Sequence, residues 1–135
     1  MSLMGATTTS LRVARPPATT VGPTLQQFAE AAAVSEGVLL GALAPIEELE
    51  VRTRNTIYRV TVLGGGDARV FIQGGRFFPV QSEVRLNGST LGGSLLKVGW
   101  IGCGFCMELM HDGQRITTTR VREIRRVEPE PPALH

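Results

Sequence analysis

Residues 48–72 read ELEVRTRNTIYRVTVLGGGDARVFI, and this stretch decides the fold class. Leu49, Val51 and Thr53 alternate with Glu48, Glu50, Arg52 and Arg54. After a kink near Asn55, Tyr58, Val60 and Val62 alternate with Arg59 and Thr61. Period two places successive side chains on opposite faces, so each run reads as an antiparallel strand with one buried and one solvated face. Gly64-Gly65-Gly66-Asp67 then forms a hairpin loop, because glycine readily takes the positive φ that such turns demand. Val70 and Ile72 pair back across it.

Downstream the pattern repeats. Gly74-Gly75 breaks the strand; Val84 and Leu86, with Glu83 and Arg85 outward, make another that Asn87-Gly88 closes. Residues 95–110 are a long apolar segment interrupted by glycine. Asp112-Gly113 is a two-residue turn signal, followed by Arg115 to Thr119 and the Val121, Ile124, Val127 series. Twelve of the 16 glycines lie between Gly64 and Gly113, whereas Pro79 is the only proline from 46 to 128. Glycine serves the turns, and proline, lacking an N–H, would break the ladders. Strands at this spacing imply a mainly β chain: a small SH3-like or similar antiparallel barrel, since closure removes unpaired edges.

Upstream, Thr24 is a good N-cap, with Gln27 in capping-box register. Leu25, Phe28, Ala29 and Ala32 make one narrow apolar face, so a short N-terminal helix over about 24–34 is expected to lie as a lid on something else. Residues 1–23 lack acids and are rich in Thr, Ala and Pro, the composition of a disordered arm. Residues 128–135 (EPEPPALH) read as a Pro-rich tail. One folded domain, 24–127, is implied, large enough to bury one core.

The segments Thr53-Arg54-Asn55-Thr56-Ile57-Tyr58, Gly74-Gly75-Arg76-Phe77-Phe78-Pro79 and Gly92-Gly93-Ser94-Leu95-Leu96-Lys97-Val98-Gly99-Trp100-Ile101-Gly102 together resemble a group of short, uncharacterised bacterial β-rich proteins. The resemblance covers about residues 48–125. It implies a bacterial cytosolic β-domain, and no function transfers with it.

The net charge is +2, too small for an electrostatic nucleic-acid footprint by itself. Thirteen of the 14 basic residues are Arg, Lys97 being the exception. No apolar run reaches the ~18 residues of a membrane helix, and the start of the chain lacks the apolar core of a secretory signal. Two cysteines three apart cannot staple a secreted fold, which places the protein in a reducing cytoplasm.

The motifs that could carry chemistry fall short. Cys103-Gly104-Phe105-Cys106 after Trp100 is similar to a thioredoxin active-site loop, but Trp100 is not adjacent to Cys103. The flanks also read as strand, with Ile101, Cys103, Phe105, Met107 and Leu109 on one parity. With His111 the two thiols have Cys-x2-Cys-x4-His spacing, yet residues 103 and 106 of a regular strand face opposite ways, and structural zinc wants a fourth ligand. This zinc or dithiol reading is the third-ranked one. The glycine-rich 88–94 loop lacks the Gly-Lys-Ser/Thr of a P-loop. His111-Asp112 reads as part of a turn rather than as a base with its orienter. The expectation is therefore no enzyme and no cofactor.

The leading reading is an interaction module that binds a protein partner or a second copy through exposed loop and sheet surface, with Arg76, Phe77, Phe78 and Trp100 as contacts. Adjacent Phe77 and Phe78 in an extended segment face opposite ways, so one is expected beside Arg76 in solvent. The alternative is a nucleic-acid-binding barrel using Arg115, Arg120, Arg122, Arg125 and Arg126. Glu123, Glu128 and Glu130 partly neutralise that segment, which otherwise reads as a charge-guarded edge strand.

Overall fold

In the computed structural model, which describes residues 11–13, 23–64, 67–92 and 94–128, the alternating stretch forms the expected hairpin. Strands β3 (Glu48–Thr53), β4 (Ile57–Val62) and β5 (Arg69–Gly74) follow one another as an antiparallel meander. Val51 faces Tyr58 and Val60 faces Ile72, all buried, while Glu50 and Arg59 face each other outside. The chain continues through β6 (Phe78–Thr90), β7 (Leu95–Val98), β8 (Trp100–Gly102), β9 (Cys106–His111) and β10 (Gln114–Val127). Before the meander come β1 (Leu11–Val13), helix α1 (Leu25–Val34), β2 (Gly37–Leu39) and a 3-10 turn at Leu40–Ala42.

Among the described residues the fold is mainly β, with antiparallel pairings and one α-helix. In the large sheet the order β6-β5-β4-β3-β10-β9 is completed by pairing of β9 back onto β6, so six strands form a ring. Inside it lie Leu49, Val51, Tyr58, Val60, Ile72, Phe78, Val84, Leu86, Met107, Leu109 and Val121. Asp112 and Gly113 both take positive φ (51° and 77°) in the two-residue β9–β10 turn, as the Asp-Gly pair predicts.

Three expectations change. Asn87-Gly88 does not end a strand: β6 runs on to Thr90 through a bulge, with Gly88 at φ 149°. A Cβ at Gly88 would overlap the Lys97 carbonyl, because β7 pairs there as closely as a backbone allows. The strand parity expected from Ile101 to Leu109 is broken at Cys103–Phe105, and the glycine-interrupted segment 95–110 forms β7, β8 and β9. And β10 is not an edge strand, since β3 and β9 flank it on either side.

Helix α1 behaves as a lid. Thr24 and Gln27 form the capping box, with Gln27 N–H donating to Thr24 Oγ1 at 3.1 Å and Thr24 N–H to Gln27 Oε1 at 3.0 Å. Phe28 and Ala32 are buried in a second apolar cluster with Leu95, Trp100 and Phe105, outside the ring. Within the arm expected to be disordered, Leu11–Val13 is a strand on the edge of β7, with Leu11 opposite Lys97. The rest of the arm through 22, and the tail from 129, lie outside the described residues.

Gly88→Ala is expected to destabilise the domain by about 1–3 kcal/mol, since the backbone must leave the left-handed region or β7 must move. Urea unfolding of the variant against the parent measures it.

Candidate interaction surface

At one end of the ring the β3–β4 turn meets the β5–β6 hairpin. Gly74 (φ 147°) and Gly75 (φ 66°) press that hairpin onto Ile57 and Thr56: a Cβ at Gly74 would overlap the Ile57 carbonyl, and one at Gly75 would stand 2.8 Å from Thr56 Cγ2. The next residues are Arg76 and Phe77, both exposed, Phe77 at 54%. Phe78 turns inward and is fully buried, its ring 5.6 Å from that of His111 in an edge-on contact. Phe78 thus anchors the hairpin that presents Arg76 and Phe77. No acid lies within ion-pair distance of Arg76 among the described residues. Exposed Ile57, on the solvent parity of β4, belongs to the same end. Sequence reasoning passed over it, although an apolar residue out of phase with Tyr58, Val60 and Val62 was the available signal.

Two of the four expected contact residues are therefore core. Besides Phe78, Trp100 is buried at the centre of the second cluster, edge-on to Phe105 with centroids 5.0 Å apart. Its indole leaves no room for a side chain at Gly37 or Gly102, and Lys97 Nζ lies 4.3 Å from the ring centroid. Buried Ser89 donates to the Trp100 carbonyl at 2.6 Å and accepts from Gly102 N–H at 3.3 Å, so the 88–94 loop spends this hydroxyl internally.

The C-terminal arginines are exposed but divided in their contacts. Arg125 reaches Glu50 at 2.6 Å and Arg126 reaches Glu47 at 3.3 Å. Arg120 donates to the Gly104 carbonyl at 3.3 Å. Arg115 and Arg122 have no acid partner among the described residues. The Glu50 carboxyl is held below its ordinary value of 4.5, first by the hydrogen bond from Arg125 and further by the charges of Arg125, Arg59 and Arg52, against the opposing cost of desolvation.

Geometry bears on the three-ligand metal reading. Cys103 sits in a turn, not a strand: Phe105 N–H donates to the Gly102 carbonyl and Gly104 has φ 89°. Cys106 opens β9, and His111 ends it five residues on, a span of roughly 16 Å at strand rise, so the Cys103, Cys106, His111 set does not converge on one ion. Burial, then the charges of Glu36 and Glu123, push the Cys103 thiol up; burial pushes up Cys106, with Arg120 partly opposing. Both shifts run opposite to the lowered pKa of an activated thiolate. His111 and Asp112 approach at 3.7 Å across the turn, with Asp112 open to solvent.

No family model matches the chain, and neither a curated protein nor a solved structure matches it. Among the described residues no helix is long and apolar enough to cross a membrane.

Two outcomes follow. Both cysteines should react with an aromatic disulfide reagent at pH 7 more slowly than a short unstructured Cys peptide, because raised pKa values shrink the thiolate fraction. For Glu50, a lowered folded-state pKa means its contact with Arg125 stabilises above the unfolded value and is lost as pH falls. Acid titration of Arg125→Gln should accordingly show a shallower loss of stability than the parent below about pH 4.5.

Proposed function

We propose that the chain is a non-enzymatic interaction module that binds a protein partner through its hairpin end. The domain reads as a small closed barrel of the SH3-like or a similar kind, working in a bacterial cytosol. One observation carries the reading: Phe77, half exposed, stands beside Arg76 on a hairpin fixed by buried Phe78. An exposed aromatic next to a guanidinium without an acid partner supplies apolar contact area and planar hydrogen bonding, which is what interface hot spots consist of. The closing of the ring supports the barrel assignment, and two half-buried free thiols accord with a reducing compartment.

A second reading, nucleic-acid binding, draws on exposed Arg115, Arg120 and Arg122, none of which pairs with an acid among the described residues. It predicts oligonucleotide affinity falling steeply with salt. Arg125 and Arg126, tied to Glu50 and Glu47, contribute less to it than the unpaired three.

Capture with the immobilised protein tests the first reading. Phe77→Ala is expected to weaken a specific partner by about 1–3 kcal/mol, and Arg76→Ala by a similar amount, with thermal midpoints unchanged. Partners retained equally by both variants would show that the hairpin is not the site. Anisotropy of labelled oligonucleotides decides the second.

A further inference from the structure

A row of four residues crosses the outer face of the ring opposite the compensated charges of β3. Arg69 on β5 faces Arg85 on β6, Arg85 faces Met110 on β9, and Met110 faces Arg115 on β10. All four point outward, because their neighbours Val70, Val84 and Leu109 are buried, with Ile116 packed against the same core. Arg69 is satisfied: its Nε lies 3.3 Å from Asp67 and 3.2 Å from Glu83. Arg85 and Arg115 have no acid within ion-pair distance among the described residues. Of the other nearby acids, Glu108 is buried beneath Asn87, whose amide donates to it at 3.1 Å, and Asp112 stands open to solvent 3.7 Å from His111.

Arg85 and Arg115 stand two strand spacings apart, about 10 Å, astride exposed Met110. Two unpaired guanidinium groups with an adaptable thioether between them suit a segment that carries two carboxylates and little else that is polar.

The chain itself contains such a segment. Glu128-Pro129-Glu130-Pro131-Pro132 pairs two acids with prolines, which favour an extended polyproline II path. It follows the end of β10 away from Arg115: Arg115 to Val127 is twelve residues along a bulged strand, whereas Glu130 is only three residues beyond Val127, so a second copy offers the row more readily than its own domain does.

We propose that the Arg85–Met110–Arg115 row is the docking site for the Glu128–Glu130 segment of a second copy of this chain. Charge complementarity sets the contact, so the association is salt-sensitive and self-limited by the supply of tails. It does not depend on the Arg76–Phe77 hairpin, and Phe77→Ala leaves it intact.

The test is sedimentation or light scattering of the full chain at low salt. The parent is expected to self-associate, and the complex to dissociate between about 50 and 300 mM salt as screening tightens. Arg85→Gln/Arg115→Gln and Glu128→Gln/Glu130→Gln should each weaken association roughly 5- to 25-fold, the yield of two exposed ion pairs. Mixing the two double variants should restore a one-to-one complex, since one keeps the tail and the other the row. A labelled peptide of residues 128–135 should bind the parent and bind the arginine variant more weakly by the same factor. Both double variants change only surface residues and should keep the parent's thermal midpoint. A parent that stays monomeric at low salt, or association that survives in both variants, overturns the proposal. So does a single-stranded oligonucleotide that binds the row more tightly than the peptide, which would assign the arginines to phosphate.

Discussion

Strand β6 has to serve three neighbours, and the whole arrangement rests on how it does so. Its first half pairs with β5, from Phe78 to Arg85. From Arg85 onward it pairs with β9, which closes the ring, and at Gly88 and Ser89 it also takes on β7. A regular strand has two edges, and it holds one inward parity along its length. β5 and β7 share one edge in succession and β9 takes the other, and the bulge at Gly88 breaks the parity: it shifts the register with β9 between Leu86 and Gly88, and Gly88 lets the Lys97 carbonyl approach where any Cβ would collide. Before the bulge Val84 and Leu86 fill the ring. After it, Ser89 points to β8 and fixes Trp100 through the Trp100 carbonyl.

The second apolar cluster is a consequence of that redirection. Trp100 and Phe105 lie outside the ring, where their large faces would meet water unless covered. Helix α1 supplies the cover with Phe28 and Ala32, Phe28 meeting Phe105 edge-on at 5.4 Å. Its narrow apolar face is matched to this small target, and Leu25 and Val34 at its two ends stay exposed. Gly37 and Gly102 complete the enclosure by letting β2 and β8 backbone lie against the indole.

Much of this was legible in residues 48–72, because a half-buried strand writes its inside and outside directly into alternating residue types. The helix cap, the Asp112-Gly113 turn and the lid-like helix face were legible for the same reason: each is a local rule satisfied by neighbours in sequence. Less could be read where contacts are non-local. Gly88 looks like a strand terminator because a bulge and a turn ask the same thing of glycine. Trp100, next to glycines, looks like a loop aromatic; only the folded chain shows that Gly102 and the distant Gly37 pack on its ring. The apolar run 95–110 carries no mark of its two breaks, since Gly99 and Gly104 read alike as turn or as bulge. Of the Arg76-Phe77-Phe78 triplet, sequence could say that one aromatic faces out, and ring closure decides which.

The arginines of β10 show how topology turns one composition into two surfaces. Along its second half the strand lies beside β3, whose outward positions are Glu48, Glu50 and Arg52, so Arg125 finds Glu50 and Glu123 lies 3.8 Å from Arg52. Along its first half it lies beside β9, which offers Met110 outward and keeps its one carboxylate, Glu108, buried with Asn87. The same kind of residue is thereby neutralised at one end of a single strand and left uncompensated at the other. Net charge averages over this difference and hides it. What a +2 chain presents to a partner is set by which strand closes the ring beside which half of β10.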